Sequence, residues 1–232
     1  MLESFLIHRD RVPSAVEDLA RPFDPTFLAL DFTDRRQKVA IFVTKENHCL
    51  YDLLARCDSG ELDIDIPLIV SNRETLRRDV EKFGVPFHHI PIEPETKAKQ
   101  EACELALLAE AGVDFVVLAR YMQILSPAFL QAFAKPVINI HHSFLPAFVG
   151  ADPYRQAHVR GVKIIGATSH YVTEDLDQGP IIHQDVIHVS HRDSVEDLVR
   201  HGRDLEKIVL ARAVWRHVHH RVLIYGNKTV VF

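Results

Sequence analysis

The chain has 232 residues, of which 47% are hydrophobic and 25% are charged, and its formal net charge at pH 7 is −5. These proportions are ordinary for a globular protein and exclude a disordered chain. Because the acidic balance offers no basic surface to a phosphate backbone, we expect small molecules and no nucleic acid as partners.

Apolar runs in the sequence are too short for a membrane helix, which needs about 18 consecutive apolar residues. The first residues, MLESFLIHRDR, lack the apolar core and cleavage site of a signal peptide. Three cysteines at wide spacing, Cys49, Cys57 and Cys103, fit a reducing compartment. We therefore expect a cytoplasmic protein that makes no membrane contact.

The first 36 residues differ from the rest of the chain. A helical stretch near Val16–Arg21 precedes an alternating strand at Thr26–Phe32. This is too little to bury an independent core. We therefore divide the chain into an N-terminal segment, residues 1–36, and one main domain, residues 37–232.

In the main domain, short β-branched runs alternate with longer stretches of helical periodicity, which is the pattern of βαβ units. Continuous apolar runs predict strands that are buried on both faces. They lie at Val39–Val43, Ile66–Val70, Phe87–Ile90, Phe115–Leu118 and Val137–Ile140. The expected fold class is α/β and Rossmann-like, with a mostly parallel sheet flanked by helices.

Helices are predicted between these strands. The first carries apolar residues at helical spacing, namely Cys49, Leu50, Leu53 and Leu54. The second, Glu74–Phe83, can be capped by Ser71 or Asn72. The third, Lys97–Ala111, ends at Gly112. Its buried stripe is expected at Ala102, Leu105, Ala106 and Ala109.

The pattern changes after residue 160. Two long extended runs, Val162–Val172 and Ile181–Val189, predict adjacent strands. Asp193 and Glu196 resemble a capping box that starts a long helix. The apolar stripe of that helix is Val195, Leu198, Leu205, Ile208 and Val209. A terminal hairpin is predicted from Val222–Tyr225 and Thr229–Phe232.

Two polar side chains converge where the strand at residues 137–140 ends. Residues two apart in an extended chain point the same way, so Asn139 and His141 share one face. An amide and an imidazole can both donate to a developing oxyanion, which suggests acyl transfer. The alternative is that Asn139 caps the next loop and His141 packs in the core.

Two further stretches are candidates for the same site. The turn before Gly179 and Pro180 holds three acids, Glu174, Asp175 and Asp177, and spacing alone does not choose a base among them. The segment LARYMQILS follows a buried strand and is mostly apolar, as the wall of a heterocycle pocket would be. The alternative for that segment is the start of a core helix.

Three stretches resemble the folate-dependent formyltransferase family in their order along the chain and in their spacing: LARYMQILS, NIHHSFLPAF and GATSHYVTEDLDQGPII. The wording of NIHHSFLPAF is similar to the deformylase branch of that family. The resemblance covers Lys38–Phe232. It implies a formyltransferase fold and hydrolysis of 10-formyltetrahydrofolate to formate and tetrahydrofolate, which supplies formate for purine biosynthesis and balances the one-carbon folate pool. Folate and water are then the substrates, and no cofactor or metal is implied.

The resemblance also implies roles for individual residues. Asn139 and His141 hold the oxyanion, and Asp177 is the acid beside the formyl carbon. The pterin pocket is lined by Arg120, Tyr121, Met122, Gln123, Ile124 and Leu125. Backbone groups of the loop Thr173–Asp177 contact the pterin edge, and Glu174 and Asp175 are surface or folate-loop residues. Secondary roles beside the reacting carbon fall to Thr168 and His170.

Related ribonucleotide formyltransferases need a glycine-rich phosphate cradle after the first strand. Residues 44–48 of this chain contain no glycine, and Glu46 would repel a phosphate. Water is therefore the expected acceptor. A glycinamide ribonucleotide formyltransferase is the alternative enzyme.

Two departures from the family pattern leave a further alternative. The deformylase branch carries an N-terminal ACT domain, of which residues 1–36 resemble only the last part. The loop at residues 148–154 is FVGADPY, whereas the family has FPGANPY. A degenerate folate-binding protein is the non-enzymatic alternative.

Fifteen histidines also invite a metalloenzyme hypothesis, yet no HExxH or Cys/His ligand spacing supports it. The strand Thr26–Phe32 would offer an exposed pairing edge, from which we expect a homo-oligomer.

Overall fold

One seven-stranded sheet forms the centre of the main domain in this computed structural model, which describes residues 11–23, 30, 35–147 and 152–232. Its strands are β1 Gln37–Val43, β2 Ile64–Ser71, β3 Phe87–His89, β4 Phe115–Leu118, β5 Val137–His141, β6 Ile164–Tyr171 and β7 Ile181–His188. They lie in the order β3-β2-β1-β4-β5-β6-β7. The expected α/β fold is confirmed.

The sheet is parallel from β3 to β5, and β6 and β7 join it antiparallel. The central apolar runs predicted as strands are buried on both faces; Val39–Val43, for example, is at most 1% exposed. In the edge run Phe87–Ile90 only Phe87 is buried, because β3 has a neighbour on one side only. The strand order reverses between β1 and β4. In an open α/β sheet such a reversal leaves a crevice at the carboxyl ends of the strands.

Seven α-helices are described: α1 Val12–Ala20, α2 His48–Asp58, α3 Arg77–Glu81, α4 Lys97–Ala111, α5 Pro127–Phe133, α6 Pro153–Arg160 and α7 Val195–Val218. Short 3₁₀ helices occur at Arg21–Phe23, Glu74–Leu76 and Pro94–Thr96. The predicted terminal hairpin is present as β8 Val222–Tyr225 and β9 Lys228–Val231. None of the described helices combines the length and apolar character that crossing a membrane requires.

The chain divides into two units, Met1–Arg35 and Arg36–Phe232. The first contains α1, which confirms the helix predicted near Val16–Arg21. The strand predicted at Thr26–Phe32 and the loop residues 148–151 lie outside the described residues. The ACT-like origin of residues 1–36 stays a prediction.

The buried face of α4 differs from its prediction. Ala102, Ala106 and Ala109 are exposed, and the buried residues are Glu101, Glu104 and Leu108. The reason is that this face packs against a loop whose hydroxyl and amide groups need partners, and the two carboxylates supply them. An apolar stripe was therefore the wrong expectation for this helix.

The predicted caps of two other helices also need correction. Ser194 and Asp197 form the capping box of α7, one residue later than expected, while Asp193 accepts hydrogen bonds from Ser190. Neither Ser71 nor Asn72 caps the helical stretch that begins at Glu74.

The predicted stripe of α7 is only partly right. Leu198, Leu205 and Val209 are buried, but Val195 is half-buried and Ile208 is 39% exposed. The buried face includes Glu206 instead, because that carboxylate has three polar partners inside the domain.

Candidate active site

A cavity of ≈ 360 Å³ opens at the carboxyl ends of β4 and β5. Three stretches of chain line it: the residues after β4, the end of β5, and the end of β6 with the loop that follows. These are the three stretches that the sequence singled out. The cavity therefore lies at the carboxyl edge of the parallel strands, beside the point where the strand order reverses.

Strand β5 presents Asn139 and His141 to this cavity, as the alternation predicts. In the antiparallel register of β5 and β6, Asn139 lies opposite His170, and the Asn139 Nδ2 atom is 3.3 Å from His170 Nε2. The Nδ1 atom of His170 is 2.8 Å from the Tyr171 carbonyl oxygen. His170 therefore lines the cavity directly beside Asn139, nearer to it than the secondary position that the resemblance implied.

Asp177 joins this group from the loop after β6. Its Oδ2 lies 3.3 Å from His141 Nδ1, and its Oδ1 lies 3.6 Å from His170 Nε2. Hydrogen bonds from His141 and then from His170 hold the pKa of the Asp177 carboxyl well below its usual range. Asp177 is therefore ionised at neutral pH, and it is the acid of the turn that reaches the centre.

One ring nitrogen of His141 has no hydrogen-bond partner among the described residues. The Nδ1 atom of the ring faces Asp177, so the atom without such a partner is the buried Nε2. A buried polar nitrogen without a partner is costly unless a ligand satisfies it. When the imidazole is protonated, this Nε2 offers one N–H to a ligand.

The six residues after β4 that were predicted as a pocket wall all line the cavity. They form no helix, since α5 begins only at Pro127, so the core-helix alternative is wrong. Met122 and Ile124 are 54% and 58% exposed, whereas Tyr121 and Leu125 are buried. The wall thus offers apolar surface to a flat ligand.

The other predicted binding residues divide into two groups. Thr173 and Glu174 line the cavity, and Asp175 and Thr168 do not. Thr168 Oγ1 donates to the Ser143 carbonyl and accepts from the Leu145 amide, so it fixes the chain that leaves β5. The Asp175 carbonyl oxygen accepts from Thr173 Oγ1, which shapes the loop.

Sequence reasoning missed several lining residues, among them Val172 and Leu176 beside the turn and His142 beside the pair. Burial, and then the charge of Arg120, lower the pKa of His142 to about 4. His142 is therefore neutral at neutral pH. The position of His142 next to His141 could have indicated that it lines the cavity. It was not predicted to do so, because consecutive residues in an extended strand point to opposite faces.

A buried ionic cluster lies next to the cavity and shares Arg120 with its lining. This cluster was not predicted from the sequence. Its centre is Glu206, which is 1% exposed and accepts hydrogen bonds from Tyr154 at 2.6 Å and His48 at 2.9 Å. Arg120 Nε lies 3.4 Å from the same carboxylate. Burial by itself raises the pKa of Glu206, but the His48 bond and the Arg120 charge outweigh it and lower that pKa.

Arg120 adopts a left-handed backbone conformation, with φ 63°, to place its side chain in this cluster. Among the described residues, His48, Cys49 and Glu206 have ligand atoms near enough to share a metal ion. The guanidinium of Arg120 beside Glu206 opposes a further cation there.

The fold and the site together define a class of protein. Residues 37–214 match the family described as formyl transferase. Across 231 residues the chain is 54% identical to a formyltetrahydrofolate deformylase from Synechocystis sp., covering 100% of this chain and 81% of the relative. The chain therefore belongs to the formyl transferase family and, within it, to the formyltetrahydrofolate deformylases.

Solved structures agree with this placement. A formyltetrahydrofolate deformylase from Pseudomonas syringae pv. tomato superposes with a TM-score of 0.92 at 50% identity, covering 98% of this chain and 76% of that one. A glycinamide ribonucleotide transformylase from Symbiobacterium toebii superposes with a TM-score of 0.80 at 30% identity, covering 90% and 100%. The resemblance inferred from the sequence is confirmed.

Proposed function

We propose that the chain hydrolyses 10-formyltetrahydrofolate to formate and tetrahydrofolate. The observation that carries the proposal is the convergence of Asn139, His141 and Asp177 on one cavity. An amide donor, an imidazole and an ionised carboxylate are the groups that hydrolysis of an N-formyl bond requires. The membership in the deformylase family supports the same substrate.

The wall after β4 and the loop after β6 bind the pterin in this scheme. Met122 and Ile124 supply exposed apolar surface, and backbone groups around Thr173 supply hydrogen bonds to the ring edge. In this scheme the formyl group points toward Asn139 and His141.

Asn139 and protonated His141 then donate hydrogen bonds to the formyl oxygen. The unpartnered Nε2 of His141 supports this role, because the Asp177 carboxylate faces Nδ1 and leaves Nε2 available to the formyl oxygen. Donors aimed at the position where negative charge develops lower the barrier most strongly.

Asp177 orients the attacking water. Because its pKa is low, the Asp177 carboxylate is a weak base. It therefore accepts a proton from the water only as the new C–O bond forms and the attacking water becomes more acidic. Collapse of the tetrahedral intermediate breaks the bond between carbon and N10, and the proton passes to N10. Formate and tetrahydrofolate are released.

The loop after β1 supports water as the acceptor. Residues 44–48 contain no glycine, Glu46 pairs with Arg203 at 2.7 Å, and His48 is bound to Glu206. A loop closed by two contacts with α7, and carrying a carboxylate, is a poor cradle for a phosphate dianion.

The test is release of formate and tetrahydrofolate from 10-formyltetrahydrofolate, with and without glycinamide ribonucleotide. We expect equal release in both reactions and no formylated nucleotide. Formyl transfer that requires the nucleotide would assign the chain to the transferases. If neither reaction occurs while folate still binds, the chain is a degenerate binding protein.

Gly179 should be irreplaceable in the loop that carries Asp177. A Cβ at this position would lie 1.8 Å from the Tyr171 carbonyl oxygen, which belongs to β6 and cannot move away. We expect Gly179→Ala to lower kcat for formate release about tenfold or more, because the displaced carboxylate no longer orients water. Gln178→Ala, an exposed change in the same loop, should behave as wild type.

Cellular setting and assembly extend the proposal. The cysteines Cys49, Cys57 and Cys103 are free thiols, which supports a reducing cytoplasm as the setting. Supply of formate to purine biosynthesis belongs to the same proposal, because formate is the product of the proposed reaction. We keep the homo-oligomer, and the ACT-like origin of residues 1–36, as part of the proposal. A monodisperse monomer in light scattering would contradict the former.

A further inference from the structure

The inner face of α4 is acidic where a helix against a sheet is ordinarily apolar. Glu101 and Glu104 are 6% and 0% exposed, although the chemistry at Asn139, His141 and Asp177 uses neither. Two carboxylates buried on one helix call for a reason, because each costs free energy unless it has partners.

Both carboxylates contact the cavity wall formed by residues 121–125 and the next residue, Ser126. Tyr121 Oη donates to Glu104 Oε1 at 3.0 Å. The Ser126 backbone amide donates to Glu101 at 2.9 Å, and the Ser126 hydroxyl donates to the same carboxylate. Lys97, one turn earlier on α4, donates to the Ile124 carbonyl. The wall is thereby fastened to α4 along its whole length.

Tyr121 is held at two points. Its ring packs edge-on against Phe42 of β1, with centroids 5.3 Å apart, and its hydroxyl reaches Glu104. The hydrogen bond to Glu104 adds a directional contact at the hydroxyl end of the ring, and Tyr121 lines the cavity.

We propose that Glu104 is a positioning residue for folate binding, which acts by holding the Tyr121 ring in the orientation that forms the pterin wall. The ligand in this statement rests on the proposed function. Glu104 touches no substrate, and its effect should fall on binding and spare the chemical step.

The hydrogen bonding around Glu104 supports a specific contact between Glu104 and Tyr121. Its Oε2 has no hydrogen-bond partner among the described residues, so Tyr121 is the one side chain there that bonds to the carboxyl. Burial raises the pKa of Glu104 to about 7, with the Tyr121 bond opposing and the nearby Glu101 assisting that rise. A glutamine matches the shape of this carboxyl and the charge of its protonated form, and it keeps an acceptor oxygen.

The experiment compares KM and kcat for formate release. Glu104→Leu and Tyr121→Phe each break the contact, and we expect KM to rise roughly 5- to 10-fold, because a side chain that has lost its anchor must be ordered when the ligand binds, with kcat within about twofold. Glu104→Gln keeps an acceptor for the Tyr121 hydroxyl and should keep KM within about threefold. Glu110→Gln, exposed on the same helix, is the matched control.

Tyr121→Phe with wild-type KM, at an unchanged melting temperature, would overturn the inference. This variant is nearly isosteric, so it decides the matter even if Glu104→Leu does not fold. A fall in kcat with constant KM would overturn it as well.

Calorimetric titration with tetrahydrofolate separates this inference from the proposed function. If the wild-type protein releases no formate, the proposed hydrolysis is wrong. The role of Glu104 and Tyr121 in the pterin wall is then tested by the affinity for tetrahydrofolate alone. Weaker tetrahydrofolate binding by Tyr121→Phe supports the wall, and equal binding by the two proteins refutes it.

Discussion

Asp177→Asn should lower kcat for formate release about a hundredfold or more and leave KM nearly unchanged. The amide keeps the shape of the side chain but removes the negative charge that faces His141, whose Nδ1 lies 3.3 Å from Oδ2. It also removes the base that takes the proton of the attacking water, because a neutral amide still accepts a hydrogen bond but does not take up a proton. The measurement is the initial rate of formate release under saturating 10-formyltetrahydrofolate.

The matched control for this change is Asp58→Asn, the same chemical substitution on an exposed residue at the end of α2. It should retain the wild-type rate. An Asp177→Asn protein that hydrolyses at the wild-type rate would remove Asp177 from the reaction and reopen the choice among the acids of the turn.

Glu206→Ala should lower the free energy of unfolding by about 3–5 kcal/mol, the usual cost of breaking a buried ion pair from one side. The substitution leaves Arg120 inside the domain without its ion-pair partner, and it leaves His48 and the Tyr154 hydroxyl without their acceptor. Urea unfolding followed by circular dichroism measures the difference.

The pH dependence of that loss has a definite sign. Because the folded-state pKa of Glu206 is lowered, its carboxylate stabilises the fold above the ordinary carboxyl pKa of about 4.3, and this contribution disappears as the pH falls through the folded-state pKa. The gap between wild type and Glu206→Ala should therefore narrow in acid. Glu196→Ala, exposed on the same helix, should stay within about 0.5 kcal/mol of wild type at every pH, and equal urea midpoints for all three proteins would contradict the cluster.

Much of the fold follows from local pattern. Continuous apolar runs identified the buried parallel strands, because both faces of such strands are covered by helices. The period of two in the strand ending at His141 placed Asn139 and His141 on one face, and the structure has them there. These features depend only on neighbours along the chain.

Other features depend on contacts between distant residues, and the sequence could not indicate them. Nothing in residues 174–177 shows which acid turns inward; the contacts with His141 and His170 decide for Asp177. Glu104 sits in an ordinary helical pattern, and its burial follows from a tyrosine 17 positions later. Propensity and periodicity carry no information about such pairs.

The antiparallel ladder between β5 and β6 places Asn139 opposite His170, and Asp177 follows six residues after Tyr171. Because successive side chains in a strand alternate, one inserted residue in β6 would turn His170 away from Asn139. The proposed reactive groups thus lie on one strand pair and the loop that follows it, while the proposed pterin wall and the loop after β1 lie on separate stretches. Substitutions in the wall or in that loop can therefore change selectivity without displacing the reactive groups, and a deformylase and a glycinamide ribonucleotide transformylase share this fold.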